Sequence, residues 1–299
     1  MVRALVVDPS APVGVRLADV PEPVPAPGQL LLDARHVSLN LGDLNDARSG
    51  RVPPGAVLGS DVAGVVVRTT DGGPPIGTRV VGLAAGAFAE RVVVDETAVA
   101  PVPDHVDLAA AAALPVAGLA ALQSLRAAEV GPGKRVLVTG AAGGVGRFAV
   151  QLAGHAGATV LASVGSPARG AGLDAEVIVG LDGLTEPVDI VIDNVGGPQL
   201  VAAWALLAPG GVVQSIGWSS GEPAVFPPYA TVGPAKSLTS FLIDTATAGA
   251  DLGELLARLA DGTLTVDLGW QGDLADVAEA AAALRGRRIA GKAVLRVTG

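Results

Sequence analysis

The sequence predicts an α/β protein in two parts, a β-rich part followed by a parallel sheet with helices on both faces. Three observations predict it. The first hundred residues read as short strands separated by turn residues. From residue 107 onward, continuous apolar strands alternate with helical segments, which is typical of a doubly wound parallel sheet. At 299 residues the chain exceeds the usual size of one domain, which favours two cores.

Composition narrows the class of partner and the type of site. Half of the residues are apolar and 16% are charged, as in folded globular proteins. The net charge of -9 disfavours a nucleic-acid partner, because phosphate binding needs clustered basic side chains. The absence of cysteine excludes disulfides and thiolate metal sites. We recognise no signal peptide or membrane span, so we expect a soluble, cytoplasmic protein without a membrane partner.

The β-rich part is predicted from apolar runs separated by the turn segments 21–28, 69–77 and 102–105. Its predicted strands are RALVVD (3–8), QLLLDARHV (29–37), AVLGSDVAGVVV (56–67), RVVGL (79–83) and FAERVVV (88–94). One stretch in this part, SLNLGDLNDARSG (38–50), is unusually polar. It is either a solvated loop or the lining of a site.

The alternating part begins with two predicted helices. Asp107 is placed to cap an Ala-rich helix that runs through Ala113, and a second helix follows over 115–128. The predicted strands are then RVLVTG (135–140), TVLASV (159–164), EVIVG (176–180), DIVIDNV (189–195) and GVVQSIG (211–217), with helices at 144–155 and 199–207. The tail is predicted as helix 251–260, a strand near 263–268, helix 273–284 and strand 292–297.

The stretch VLVTGAAGGVGRFAVQLA (136–153) predicts a dinucleotide site. Ala141, Gly143 and Gly146 stand at A-x-G-x-x-G spacing, between an apolar strand and a helix. Gly143 lets a pyrophosphate approach the backbone, Gly146 lets the helix pack closely, and the helix N-terminus offers N–H groups to phosphate. The predicted contacts are Ala141, Gly143, Gly144, Val145 and Gly146. The alternative is a tight turn without a ligand.

The next strand predicts which cofactor is bound. NAD sites usually carry an acidic residue about 20 residues further on, bound to the ribose hydroxyls. This chain has Ser163 there, followed by Ser166 and Arg169. Hydroxyls and a guanidinium suit a 2′-phosphate, so the sequence predicts NADPH. The alternative is a solvated loop with an incidental arginine.

Taken together, these motifs resemble the zinc-independent medium-chain dehydrogenase/reductases, and most closely their quinone oxidoreductase and enoyl reductase branch. The segments that carry the resemblance are 38–50, PPGAVLGSDVAGVV (53–66), AALPVAGLAAL (112–122), 136–153, DNVGG (193–197) and GKAVLRV (291–297). The resemblance implies a GroES-like catalytic domain over 1–116 and 263–299, and a Rossmann dinucleotide-binding domain over 117–262. It also implies that nicotinamide and substrate share the cleft between the domains, and that the protein is a homodimer.

The resemblance also indicates chemistry without zinc. Zinc-using relatives have Gly-His-Glu where this chain has Gly59, Ser60 and Asp61, and His36, His105 and His155 show no ligand spacing. We therefore expect no metal. Asp61 is interpreted as a buried structural carboxylate. Without a Lewis acid, the chemistry that we expect is hydride delivery to a quinone or a conjugated double bond.

The resemblance suggests four catalytic positions. Asn40 matches the family Asn beside the nicotinamide, where it would donate to a substrate oxygen and stabilise the enolate. Asp43 matches a family Asp, and is either part of the site or a structural cap. Asn45 stands where many relatives have a tyrosine proton donor, and it cannot replace that donor. Tyr229, the single tyrosine, either reaches the site or is a packed or surface ring.

Further cofactor contacts carry over by position. They are Asn194, Val195, Ser215, Ile216, Gly217, Phe241 and Leu242. The predicted function is an NADPH-dependent reductase of a quinone or an α,β-unsaturated carbonyl. Two alternatives stay open: a non-redox cyclase or isomerase that tailors a pathway product, and a non-enzymatic NADPH-binding protein.

Overall fold

The chain is described by a computed structural model that covers residues 1–69 and 73–297. It divides into two compact units, the first formed by residues 1–119 and 244–299 and the second by residues 120–243. The sequence assigned residues 244–262 to the dinucleotide-binding domain, whereas this division places them in the first unit. The domain bounds stay a prediction.

The first unit is built on a β-hairpin and a seven-stranded sheet. The hairpin pairs β1 (Val2–Val7) with β2 (Val15–Val20). The sheet has the order β14-β15-β3-β4-β5-β7, and β6 also pairs with β3. Its strands are β3 (Gln29–Leu39), β4 (Asp61–Arg68), β5 (Arg79–Leu83), β6 (Arg91–Asp95), β7 (Val99–Pro101), β14 (Leu268–Asp273) and β15 (Lys292–Arg296). The C-terminal strand β15 thus lies directly beside β3.

Helices complete the first unit. They are α1 (Leu41–Ser49), α2 (Leu108–Ala112), α6 (Ala248–Ala260) and α7 (Val277–Arg285), and α3 (Pro115–Ala127) continues into the second unit. The predicted cap of α2 is confirmed, since the Asp107 carboxylate accepts the N–H of Ala109 at 3.0 Å. No helix in the described ranges is both long and apolar enough to span a bilayer.

The second unit is a six-stranded parallel sheet with the order β10-β9-β8-β11-β12-β13. Its strands are β8 (Arg135–Thr139), β9 (Thr159–Val164), β10 (Glu176–Val179), β11 (Val188–Asp193), β12 (Leu207–Ser215) and β13 (Ser237–Ser240), with helices α4 (Gly144–His155) and α5 (Gly197–Ala205). Numbered within the unit, this order is 3-2-1-4-5-6, the doubly wound arrangement that binds dinucleotides where the order reverses. That point lies between β8 and β11. The predicted α/β fold class is confirmed.

Several predicted elements differ from those observed. The polar stretch 38–50 contains helix α1, and neither β2 nor β13 was predicted. The strand expected near 263–268 is wrong in position, because β14 begins at Leu268 and is aligned by parallel pairing with β15. The helix expected over 273–284 begins at Val277, after a 3₁₀ turn over Leu274–Asp276. The predicted turn at 69–77 includes residues 70–72, which lie outside the described residues.

Candidate functional site

The Gly-rich turn joins β8 to α4 with a very close backbone approach. A Cβ atom on Gly146 would lie 2.4 Å from the carbonyl oxygen of Gly140 and 2.6 Å from Cα of Ala141, so only glycine fits there. Gly143 is the N-cap of α4 and supplies no capping side chain. The first N–H groups of a helix lack intrahelical partners, so this end suits a phosphate. The residues present therefore fit a dinucleotide.

The turn after β11 lies at the same edge of the sheet. Buried Asp193 accepts the hydroxyl of Thr139 at 2.6 Å and the N–H of Gly196 at 2.9 Å. Burial raises the pKa of Asp193, and its hydrogen bonds to Thr139 and to the backbone act against that rise. Asn194 Nδ2 donates to the Thr139 carbonyl at 2.9 Å, while its Oδ1 is buried without a hydrogen-bond partner in the described part of the chain. An unpaired acceptor at this edge also fits a bound ligand that brings a donor.

The other predicted contacts at this edge come together around the ends of β11 and β12. The N–H groups of Ile216 and Gly217 donate to the carbonyl of Asp193 at 2.9 and 3.2 Å. Ser215 ends β12, and its carbonyl accepts the N–H of Phe241 at 3.2 Å. Val195 follows Asn194 directly, whereas Leu242 is strongly exposed. Contact of these residues with a cofactor stays a prediction.

The residues predicted to select NADPH differ in how much of their side chains is accessible. The hydroxyl of Ser163 is buried, donates to the carbonyl of Gly180 at 3.0 Å and accepts from Gln199 Nε2 at 2.9 Å. Ser166 and Arg169 are half-buried; Ser166 directly precedes a 3₁₀ turn over Pro167–Gly170, and Arg169 lies within that turn. Ser163 thus links β9 to its neighbours, and recognition of a 2′-phosphate by the three residues stays a prediction.

A group of polar side chains lies at one end of the sheet in the first unit. It consists of Asn40, Asp43, Ser60, Asp61 and Lys292, and we call it the Asn40 cluster. Asn40 follows β3, while Ser60 and Asp61 stand at the start of β4 and Lys292 begins β15. Because β3 pairs antiparallel with both β4 and β15, these three chain positions meet. Asp43 joins them from the first turn of α1.

Lys292 and Asp61 form a buried ion pair that holds the side chain of Asn40. Lys292 Nζ donates to Asn40 Oδ1 at 2.5 Å and to Asp61 Oδ2 at 3.2 Å. Asn40 Nδ2 donates to the same Asp61 oxygen at 3.0 Å. Asn40 Nδ2 also lies 3.5 Å from the carbonyl oxygen of Ser38, which is at the limit for a hydrogen bond. The ion pair fixes the amide orientation and leaves one N–H weakly engaged.

Asp43 is the carboxylate at the centre of the Asn40 cluster. Its Oδ2 accepts the backbone N–H of Asn40 at 2.9 Å, and its Oδ1 accepts the hydroxyl of Ser60 at 2.8 Å. Burial and the neighbouring Asp61 raise the pKa of Asp43 to about 6, against the opposing effects of these hydrogen bonds and Lys292. The geometry is that of the helix cap considered in the sequence. Participation of Asp43 in chemistry stays a prediction.

The two remaining catalytic positions are exposed. Asn45 lies on the solvent side of α1. Tyr229 is 83% exposed and has a φ of 66° in the loop after β12, which corresponds to the surface-ring alternative. Catalytic roles for both stay predictions.

Sequence reasoning missed the roles of Lys292 and Ser60. The available signal for Lys292 was its place as one of three lysines, at the head of the apolar strand KAVLRV. A lysine in such a strand is rarely buried unless it is paired. Ser60 carried no comparable signal, since a lone serine beside a strand is common.

Within residues 1–69 and 73–297, no group of three or more His, Cys, Asp or Glu side chains is placed to hold a metal ion. Operation without zinc stays a prediction.

Comparisons with known proteins extend these observations. The alcohol dehydrogenase GroES-like domain model matches residues 26–104, and the zinc-binding dehydrogenase model matches residues 173–295. Prostaglandin reductase-3 of Mus musculus is 33% identical over 231 residues, which are 68% of this chain and 59% of that protein. The pikromycin polyketide synthase component PikAII of Streptomyces venezuelae is 39% identical over 209 residues, 64% of this chain and 6% of that protein. The chain thus spans less than two thirds of these relatives.

Solved structures match almost the whole chain. The quinone oxidoreductase of Coxiella burnetii has a TM-score of 0.87 and 26% identity, with 99% of both chains covered. A mycobacterial protein complexed with NADPH has a TM-score of 0.89 and 29% identity, with 99% of this chain and all of that chain covered.

A GroES-like part combined with a doubly wound sheet and a Gly-rich turn is a two-domain α/β architecture with a dinucleotide-binding half. The chain belongs to the medium-chain dehydrogenase/reductase family, in its branch of quinone oxidoreductases and enoyl reductases.

Proposed function

We propose that the protein is an NADPH-dependent oxidoreductase that transfers hydride, without zinc, to a quinone or to the activated C=C bond of an α,β-unsaturated carbonyl. The observation that carries the proposal is the Gly-rich turn at the reversal point of the parallel sheet, which fits a dinucleotide. The NADPH complex of the mycobacterial relative supports the choice of cofactor. The reductases among the relatives support the reaction class.

Each group of residues has a defined task in this proposal. NADPH, when bound, supplies the hydride. The backbone N–H groups at the start of α4 hold its phosphates, and Ser166 with Arg169 binds the 2′-phosphate. The weakly engaged N–H of Asn40 donates to the substrate oxygen, where negative charge develops. Lys292 keeps the amide in the orientation that makes this possible.

The test measures NADPH oxidation against a panel of simple quinones and enones, for the wild type, Asn40→Ala and Ser49→Ala. Loss of one oxyanion donor typically lowers kcat by about 10²- to 10³-fold, and we expect Asn40→Ala to show this loss. Ser49→Ala, at an exposed position of the adjacent helix, should keep wild-type activity.

Two outcomes of this test would contradict the proposal. Absence of turnover over the whole panel while NADPH still binds would favour a non-enzymatic binding protein. A product of unchanged mass, formed without NADPH consumption, would favour the non-redox cyclase or isomerase.

We further propose that the substrate is a small molecule and that the protein works as a homodimer. The exposed edge strand β13 supports the dimer. The cytoplasmic location stays a prediction from the sequence.

A further inference from the structure

Reduction of an enone needs a proton as well as a hydride, and the sequence did not identify the donor. Asn45 has no acidic proton, and Tyr229 is an exposed ring on a loop. The Asn40 cluster contains a more suitable acid. Asp43 is buried, and its pKa of about 6 makes its protonated form accessible near neutral pH.

Ser60 is the group that connects Asp43 to less buried surroundings. Its hydroxyl donates to Asp43 Oδ1 at 2.8 Å. Ser60 is half-buried, whereas Asp43 is only 6% exposed. The other oxygen of Asp43 is occupied by the N–H of Asn40 at 2.9 Å. A proton that leaves the Asp43 carboxyl through Oδ1 therefore meets Ser60 first.

The remaining charged groups around Asp43 do not offer a second route. Asp61, from β4, already accepts from Lys292, Asn40 and the backbone N–H of Val116. Lys292, from β15, donates to Asn40 and Asp61. Arg285 of α7 donates to the carbonyl of Leu44, the residue after Asp43 in α1.

We propose that Asp43 and Ser60 form a proton relay that completes the reduction. This inference rests on the proposed function, because it places the substrate oxygen at Asn40. When Asp43 is protonated on Oδ1, its hydrogen bond with Ser60 is reversed: the carboxyl O–H donates to Ser60 Oγ, and the Ser60 hydroxyl is free to turn toward the substrate. After hydride has added to the β-carbon, the Ser60 hydroxyl gives its proton to the α-carbon of the enolate. At the same time the Asp43 carboxyl proton moves to Ser60 Oγ. A C–H bond forms, one O–H bond is exchanged for another, and Asp43 is left as a carboxylate that takes a proton from water.

The relay has a defined pH dependence. It needs protonated Asp43, so kcat falls as pH rises through the pKa of about 6. The hydrogen bond from Ser60 lowers this pKa, so its removal in Ser60→Ala raises the pKa further.

The experiment compares wild type, Ser60→Ala, Ser60→Thr and Asp43→Asn, with exposed Ser49→Ala at the end of α1 as the matched control. We expect Ser60→Ala and Asp43→Asn to lower kcat by about 10²-fold or more, the usual effect of losing a general acid. Both should also lose stereochemical preference when solvent deuterium enters at the α-carbon. Ser60→Thr keeps the hydroxyl and should restore activity and stereochemistry. Ser49→Ala should match the wild type.

A second readout needs no turnover. Infrared difference spectra of the protein without cofactor should show a carboxyl group titrating near pH 6 in the wild type. This signal should shift to higher pH in Ser60→Ala and disappear in Asp43→Asn.

The outcomes separate the two proposals. An active wild type whose Ser60→Ala variant keeps its kcat, pH profile and stereochemistry overturns the relay and leaves the proposed function standing. A wild type without turnover overturns the proposed function instead. If Asp43→Asn fails to fold because its helix cap is altered, the comparison of Ser60→Ala with Ser60→Thr still shows whether the relay operates.

Discussion

At the scale of single residues, the first unit holds a buried ion pair between Lys292 and Asp61. Its members are 4% and 0% exposed, so each depends on the other for compensation of its charge. Removal of one partner from a buried pair typically costs about 3 to 5 kcal/mol, because the other charge stays buried. We predict that Lys292→Met lowers the free energy of unfolding by this amount.

Urea unfolding of three variants checks this prediction. Lys292→Met with Asp61→Asn should recover much of the loss, because no uncompensated charge remains. Exposed Lys134→Met should leave the free energy of unfolding unchanged. Equal stability of Lys292→Met and Lys134→Met would show that the pair contributes nothing.

Asp43 makes stability depend on pH with a definite sign. Its pKa is about 6 in the folded protein and 3.8 in the reference state, so between these values the folded state holds a proton that the unfolded state has lost. Stability therefore falls as pH rises from about 4 to about 6, and the full shift corresponds to roughly 3 kcal/mol.

Asp43→Asn removes this titration. We predict that its unfolding free energy falls less than that of the wild type over the same pH range, as measured by urea unfolding. Asp193, whose pKa is also raised, contributes a decline of the same sign in both proteins. Parallel curves for the two proteins would contradict the assignment to Asp43.

At the scale of elements, α4 offers a test of the Gly-rich turn with an internal control. A Cβ on Gly146 would lie 2.4 and 2.6 Å from backbone atoms of the turn, so the backbone would have to move to make room for it. A Cβ on Gly154 in the same helix would meet nothing within 4 Å. We predict that Gly146→Ala weakens NADPH binding and lowers Tm. Gly154→Ala should keep NADPH binding and gain about 0.5 to 1 kcal/mol from its helix propensity.

NADPH fluorescence titration and thermal unfolding measure both effects. Wild-type affinity in Gly146→Ala would show that the close approach of α4 to the turn is not needed for the cofactor.

Elements that are determined by neighbouring residues could be predicted from the sequence. Elements that depend on pairing with a distant segment of the chain could not. Strand β8 and helix α4 were found almost to the residue, because an apolar run, a glycine turn and a helical pattern follow one another directly. Helix α1 was hidden by its polar composition, since Leu44 and Ala47 are its only buried apolar residues. Strand β14 has no clear alternation, and its position depends on pairing with β15.

At the scale of the whole molecule, the Asn40 cluster could be predicted only in part, because some of its residues are distant from one another in the sequence. Asn40, Asp43 and Asp61 could be singled out because they stand in short motifs near one another in the chain. Lys292 lies 252 positions from Asn40, and the two meet only because β15 pairs with β3. Spacing within a sequence cannot reveal such a pair.

The two edge strands of the parallel sheet, β13 and β10, are the places where a second copy of the chain could pair with this sheet. Strand β13 pairs with β12 on one side and, within the described residues, with no strand on the other; all four of its residues are exposed. Leu238, 46% exposed, lies on this edge, and an exposed edge with an apolar side chain is a site for pairing with another chain. We therefore predict a homodimer formed through β13.

Light scattering of Leu238→Glu, with Val179→Glu as control, tests this arrangement. Val179 lies on β10 at the opposite edge of the same sheet and is 52% exposed, so the control adds the same charge to a similar position. Wild type and Val179→Glu should have the mass of a dimer and Leu238→Glu that of a monomer, because two buried carboxylates would face each other across the two-fold axis. Dissociation by Val179→Glu alone would place the interface on β10, and a monomeric wild type would exclude the dimer.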